Sequence, residues 1–483
     1  MRQKSIKKNY IYNLAYQILT VITPLITTPY LSRVLGASGI GIYSFASSIV
    51  TYFVLFATLG TAIYGQREIS YVQDNREKRT EVFWNTEILS CISTLIILVL
   101  YGLYVMFFSG NIAIYAIFSM NIISVAFDIT WLYRGMEEFG QIVFRNIFFR
   151  IMNIISIFLF VRSSSDVGIY VLIMCLLPFL GMLSLWSSLL KIVDRPNWRK
   201  IKPFTNLRVI LSLFVPTIAI SIYTVLDKTM IGVITGLEAE NGYYEQAMKL
   251  SQIVLSVVTA LGTVMIPRIG YHYEKREIEV VRDYMYRSYQ FVWFLGIPLC
   301  FGIIAVSPNV VPWFFGDGFD KVIPLLGILS FLILAIGINN VTGMQYLIPT
   351  KRQNIFTYTV LTGAVVNFIF NLILIPELYS LGAAFASVLA ETVIAVVQIF
   401  IVRKEISPRK IIFSSSHYLI AGMGMYVVVR TLENFLEAKI INSAIMVVCG
   451  GIVYFSILLI QRDEFFINQI ERVIERFNVH TRK

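Results

Sequence analysis

Histidine and cysteine are scarce in this chain, three and four in 483 residues. The histidines, His272, His417 and His480, are scattered, and no HExxH, GxxxxGK[ST] or GxSxG pattern occurs. Zinc-hydrolase, phosphate-loop and serine-hydrolase chemistry therefore has no foothold. Cys91, Cys175, Cys300 and Cys449 are isolated, each inside an apolar run. They read as small apolar side chains, and neither a disulfide framework nor a metal cluster follows from them. Charge is short too, at 14% of residues where a soluble protein carries about a quarter. No stretch is long and polar enough for a nucleotide-binding domain, which removes an ATP-driven pump. The expectation is a protein that is not an enzyme and needs no cofactor or metal.

What is abundant is apolar sequence, 57% of the chain, with a mean hydropathy of +0.72. Runs long enough to cross a bilayer recur throughout. The expected class is an all-α polytopic membrane protein of about 14 transmembrane helices. Their approximate limits are 10–35, 40–65, 83–108, 112–133, 142–161, 167–190, 207–234, 244–267, 288–306, 322–348, 355–375, 380–402, 413–430 and 441–460. No cleavage site follows the first run, which is expected to be a retained helix.

The net charge of +11 is not a nucleic-acid signal, because the basic residues fall in short loops between apolar runs. Starting the N-terminus in the cytoplasm puts 32 of the 40 Lys and Arg on the inner side. The tail MRQKSIKK, the loop QREISYVQDNREKRTEV and the loop carrying Lys191 to Arg208 are basic. FSGN, TGLEAENGYY and PELYS contain no Lys or Arg. This asymmetry predicts that both termini are cytoplasmic.

The long basic loop after span 6 divides the chain into an N-terminal lobe, 1–205, and a second lobe, 206–405. Residues 406–483 add spans 13 and 14 and a tail. A repeat supports the division: GIYSFA and a following LGT in span 2 (Gly41, Tyr43, Ala46, Gly60) correspond to GYYEQA and LGT in span 8 (Gly242, Tyr244, Ala247, Gly262). Six spans per copy give parallel repeats, one known transporter plan. In the tail, Phe466, Ile470, Val473, Ile474 and Phe477 share one helical face, as an inner-surface amphipathic helix or an ordinary helical tail would.

Ionisable residues inside spans are functional candidates by default. The cations are Lys228, Lys249, Arg150, Arg145 and Arg33, with Arg33 near the outer boundary, where an anchoring role is favoured over ligand binding. The acids are Asp227, Glu245, Asp128 and Glu391. Asp227 and Lys228 are adjacent, so on a helix they point about 100° apart. Glu245 lies four residues before Lys249, the spacing of a local ion pair. The alternative to function is that these charges pair off and pin helices together. Asn339, Asn340, Asn367 and Asn371 line a cavity or glue helices. Pro24 and Pro29 in span 1 and Pro216 in span 7 sit at corresponding places in the two lobes, and paired helix breaks point to a transport site. Several cations with few acids suit an anionic ligand such as a phosphate or pyrophosphate.

At these residues the chain resembles a known family. SRVLGASGIGIYSFA (32–46), WLYRGMEEFG (131–140), LDKTMIG (226–232) and NGYYEQAMKL (241–250) are similar to Wzx-type polysaccharide repeat-unit flippases. Those proteins belong to the multidrug/oligosaccharidyl-lipid/polysaccharide exporter superfamily. The resemblance implies a two-lobed fold with a central cationic cavity and an undecaprenyl-pyrophosphate-linked oligosaccharide as substrate. That substrate would move from the inner to the outer leaflet of a bacterial cytoplasmic membrane by alternating access. Asp227, Lys228, Glu245 and Lys249 match motif positions, whereas Arg145 and Arg150 rest on the residues alone. The resemblance leaves the coupling ion open between H⁺ and Na⁺, and names a polysaccharide polymerase and chain-length proteins as neighbours. A peptidoglycan-precursor flippase and a drug/cation antiporter share the fold. A membrane polysaccharide polymerase or ligase is the enzyme alternative, and usually needs a large outer loop that this chain lacks.

Overall fold

The computed structural model describes residues 6–108, 110–469 and 471. Side chains are described from Gln17 onward, apart from residues 215–217, 219, 220, 222 and 223. Among the described residues there is no strand, and the regular elements are helices. In order these are α1 Ile6–Thr58, α2 Thr61–Tyr71, α3 Arg76–Phe108, α4 Ile112–Val125, α5 Thr130–Gly135, α6 Phe139–Phe160, α7 Val167–Trp186 and α8 Leu189–Ile192. There follow α9 Leu207–Thr235, α10 Glu238–Glu274, α11 Ile278–Phe315, α12 Val322–Leu329, α13 Phe331–Asn339, a π-helix Asn340–Leu347, α14 Gln353–Leu378, α15 Ser380–Val402, α16 Pro408–Phe413, α17 Ser416–Glu433 and α18 Ile440–Ile460.

Among the described residues, twelve helices are long and apolar enough to cross a membrane. The first of them, Gln17–Tyr71, has 55 residues and carries the two spans expected at 10–35 and 40–65. The expected seventh span is the 29-residue α9, part of whose side chains lies outside the described ones. The other expected spans each fall on one apolar helical segment, some built from consecutive elements such as α4 with α5 or α12 with α13. The ends differ most at the ninth, expected at 288–306 and observed as Ile278–Phe315.

Residues 1–242 and 243–483 form two compact units. In the first, α9 packs against α1. The backbone of α1 leaves the helical region at Gly36, with φ 66° and ψ −179°. A left-handed φ suits glycine, and it separates the two membrane passes. Pro24 and Pro29 lie inside α1 without such a break, so the departure is at Gly36 and not at the prolines. Hydroxyls beside the prolines supply bonds of their own: Thr23 donates to the Leu19 carbonyl at 2.6 Å and Thr27 to the Thr23 carbonyl at 3.0 Å. These bonds add to the helix next to the prolines, while the carbonyls to which the prolines offer no amide are those of Thr20 and Leu25. Pro216 falls among the side chains outside the description.

The polarity of α3 is inverted relative to a soluble protein. Thr86, Glu87, Ser90, Ser93 and Thr94 are buried, while Leu95, Ile96, Val99, Leu100, Leu103 and Phe107 are exposed. Apolar side chains facing outward are stable only in a hydrocarbon solvent. The basic segment after α8 is fastened onto the start of α3: Arg79 donates twice to the Ile192 carbonyl, Arg76 pairs with Asp194 at 2.9 Å, and the Trp84 indole donates to the Asp194 carbonyl.

In residues 243–483, α11, α17 and α18 share a core cluster that includes Ile297, Tyr418, Met425 and Tyr454. Phe466 joins it, stacked on Phe455 at 5.1 Å, and its amide is capped by Asp463 at 2.8 Å. The first turn of the tail therefore docks on protein. Ile470, Val473, Ile474 and Phe477 lie outside the described residues.

Candidate functional site

In residues 1–242, α6 places Arg150 against α1. The Arg150 Nε donates to the Thr23 hydroxyl at 3.1 Å, one residue before Pro24. Among the described residues Arg150 has no ion pair, and its two terminal nitrogens have no hydrogen bond. A guanidinium bonded only to a neutral hydroxyl keeps its charge available to an anion, and its planar fork suits phosphate oxygens. Arg145, a little over one turn earlier, is held by neutral oxygens: Nε reaches Asn146 Oδ1 at 3.1 Å and Nη1 the Gly181 carbonyl at 3.4 Å. Arg33 is exposed and donates to the Pro29 carbonyl at 3.1 Å.

The LDKTMIG stretch lies on α9. Asp227 is buried and lies close enough to Tyr52 of α1 to act on it electrostatically. Lys228, next to it, is half-buried. The rest of the motif makes the helix contact. The Thr229 hydroxyl is hydrogen-bonded with the Ser48 hydroxyl at 3.0 Å and the Tyr52 hydroxyl at 3.2 Å, and Met230 and Ile231 are buried. A Cβ on Gly232 would lie 2.1 Å from the Phe45 ring, so glycine there admits the ring. Ser48, Tyr52 and Thr229 were not foreseen from the sequence, where hydroxyls in apolar helices are too common to stand out.

The WLYRG motif also proves to be a packing element. Trp131, Leu132 and Tyr133 are buried among Ile69, Phe83 and Leu185. The Tyr133 hydroxyl donates to the Leu185 carbonyl at 2.7 Å. Asp128, expected as a charge partner, accepts from the Thr130 amide at 2.9 Å at the start of α5. Near it lies an acid that sequence reasoning passed over. Glu87 of α3 is 2% exposed, and neither carboxylate oxygen has a hydrogen-bond partner among the described residues. The signal was available: Glu87 lies inside the third expected span, with hydroxyl residues at helical spacing behind it.

In residues 243–483, Glu245 and Lys249 form the local ion pair that their spacing allows, at 3.2 Å. Glu391 of α15 accepts from Asn339, which also donates to the Glu391 carbonyl at 3.1 Å. Immediately after Asn339 the backbone becomes π-helical, a form that recurs at functional sites and was not legible in the sequence. Asn340 opens that turn, accepts from Gln345 at 3.0 Å, and lies against Gly262 of the repeated LGT. Asn367 and Asn371 are buried on α14, joined at 3.1 Å.

At one end of this unit, Arg352 grips Glu405 with two bonds of 2.8 and 2.9 Å, and the Tyr346 hydroxyl donates to the same carboxylate. Burial works against the Glu405 charge, but the bonds from Arg352 and Tyr346 outweigh it and hold the carboxyl below its ordinary range. Among the described residues no group of three or more His, Cys, Asp or Glu is placed to hold a metal.

The family described as "Polysaccharide biosynthesis protein" matches residues 6–271, more than half of the chain. The chain is 23% identical over 409 residues to a putative O-antigen transporter of Escherichia coli (strain K12), covering 83% of this chain and 97% of that protein. It is 24% identical over 287 residues to the probable low-salt glycan biosynthesis flippase Agl15 of Haloferax volcanii, covering 59% of each. Among solved structures, the inward closed lipid II flippase MurJ superposes with a TM-score of 0.74 at 17% identity, covering 93% of this chain and 99% of that one. An inward-facing multidrug resistance MATE transporter of the MOP superfamily gives 0.60 at 14% identity, covering 80% and 98%. At these identities the structural likeness establishes the fold.

Proposed function

The chain belongs to the polysaccharide biosynthesis protein family, and we propose on that premise that it is a flippase for polyprenyl-pyrophosphate-linked oligosaccharides. It carries them from the inner to the outer leaflet of a bacterial cytoplasmic membrane by alternating access. The observation that supports this reading most is Arg150. It is a guanidinium inside a membrane bundle, bonded to the Thr23 hydroxyl and to no carboxylate among the described residues. Holding an unneutralised cation in such a place is costly, and an anionic ligand repays it.

Arg150 and Lys228 are the groups assigned to the pyrophosphate in residues 1–242. Arg145 and Arg33 are the further cations there. In the other unit Lys249 acts with Glu245 beside it. Asp227, Asp128, Glu245 and Glu391 are the acids available for charge compensation or H⁺ or Na⁺ coupling. Asn340, Asn367 and Asn371 supply polar surface or helix contacts. A drug/cation antiporter would be better served by carboxylates where this chain offers Arg150. The polyprenyl tail remains in lipid, and a polysaccharide polymerase and chain-length proteins are the neighbours expected downstream.

Deletion in the native host tests the reading. Lipid-linked repeat units are expected to accumulate on the inner leaflet while surface polysaccharide falls. Unchanged surface polysaccharide with no accumulation would overturn it.

A further inference from the structure

The polar face of α3 has no part in the function proposed above. Thr86, Glu87, Ser90, Ser93 and Thr94 follow helical spacing of three and four and are all buried. Ser93 donates to the Ala57 carbonyl of α1 at 2.6 Å, and Ser90 to the Val125 carbonyl at 3.4 Å. Among the described residues, the hydroxyls of Thr86 and Thr94 and both carboxylate oxygens of Glu87 have no hydrogen-bond partner. The seam thus holds an acid whose bonding capacity the described residues leave unused.

Two groups show what the acid faces. Asp128, from the segment between α4 and α5, brings a second negative charge, and Cys91 lies one turn along α3. Further along the same face, Ser93 meets the Ala57 backbone of α1, and Tyr64 of α2 lines the pocket described next. An ionised carboxylate withdrawn from water without a partner costs far more than the neutral acid.

A pocket opens beside the preceding residue of α3. A pocket of about 270 Å³ is lined by Tyr64, Lys78, Glu81, Asn85, Thr86 and Lys202. Lys78, in the first turn of α3, and Lys202, in the segment before α9, belong to the basic stretches that the charge asymmetry of the sequence assigns to the cytoplasmic side. Thr86 is a wall of the pocket, and Glu87 follows it in α3 without itself lining the pocket.

We infer that Glu87 is a proton-binding site loaded from this pocket, with Ser90, Ser93 and Thr94 continuing the polar lining along α3. A hydronium ion reaching the pocket gives its proton to a Glu87 oxygen, forming one O–H bond and leaving water, and release reverses the step. Its use in transport rests on the flippase reading: a proton taken up here is the coupled ion, at a place separate from Arg150.

Infrared difference spectroscopy of the purified full-length chain, exchanged between H₂O and D₂O, reads the site without any transport substrate. A carbonyl band of a protonated, water-poor carboxyl is expected in the parent protein. It should vanish in Glu87→Gln, shift in Glu87→Asp, and persist in Asp128→Asn. A spectrum that is the same in the parent and Glu87→Gln would overturn the site. Surface polysaccharide in a deletion host tests coupling: Glu87→Gln should lose export at least tenfold and Glu87→Asp should retain it. Export by Glu87→Gln equal to the parent would overturn the coupling role. If the parent chain itself restored no export, the flippase reading would fail and the infrared result would still decide the proton site.

Discussion

Gly41 of α1 and Glu238 at the start of α10 touch backbone to backbone: a Cβ on Gly41 would lie 1.7 Å from the Glu238 carbonyl oxygen. The contact is reciprocal, since a Cβ on Gly242 would lie 1.9 Å from the Ala37 carbonyl oxygen. Gly41 and Gly242 are the paired glycines of the sequence repeat. Small residues at such a crossing let membrane helices approach closely. A methyl group here has no flexible neighbour to displace. Gly41→Ala is therefore expected to cost about 1–3 kcal/mol, as overpacking does. Gly168→Ala, where a Cβ meets nothing within 4 Å, is the control and should be near neutral. Thermal unfolding of both variants in the same detergent checks this; equal stability would remove the crossing from the account.

Arg150→Ala should reduce export without loss of folded protein. Bonds to a charged group contribute about 1.5–3 kcal/mol, or roughly ten- to a hundredfold in rate. Arg150→Lys keeps the charge but loses the planar fork, so partial activity is expected. Thr23→Val removes the hydroxyl that positions the guanidinium and should fall between the two. Surface polysaccharide at matched expression is the readout, and normal export by Arg150→Ala would refute the assignment.

The Glu245–Lys249 pair separates structure from function by a double-mutant cycle. As a local pair at helical spacing it is expected to couple by only about 0.3–0.5 kcal/mol in stability. If Lys249 serves the ligand, Lys249→Ala loses export far beyond that, and removing Glu245 as well does not restore it. Recovery in the double variant would show that an unpaired charge had caused the defect.

Glu405 gives a pH dependence. Its folded carboxyl titrates below its ordinary value, so its contribution to stability is complete above that ordinary value. The contribution is lost as the pH falls through the lowered folded value. Glu405→Gln should flatten the acid limb of a stability profile and leave the slope at neutral pH unchanged. An identical acid limb in both proteins would contradict the role given to Arg352 and Tyr346.

Much of the fold was legible because membrane spans declare themselves by length and hydropathy, and the expected limits fall on observed helices. The gap expected between residues 35 and 40 falls on the break at Gly36, whereas Pro24, expected as a helix break, lies inside α1. Candidate charges were visible as polar residues in apolar runs, but their partners were not. Glu245 and Lys249 are neighbours in sequence, whereas Arg150 and Thr23 are 127 residues apart and meet only through packing of α6 on α1. LDKTMIG drew attention through Asp227 and Lys228, while Thr229 and Gly232 make its contact with α1. The π-helix after Asn339 is a backbone event that no residue pattern announced.

The central claim is movement of a lipid-linked oligosaccharide across the bilayer. Vesicles holding the purified chain and a polyprenyl-pyrophosphate-linked oligosaccharide in both leaflets can be treated outside with an impermeant glycan-cleaving enzyme. The account predicts that cleavage proceeds past the outer-leaflet fraction to near completion with the parent chain and stalls at that fraction with Arg150→Ala. Cleavage that stops at the outer-leaflet fraction with the parent chain as well would contradict it.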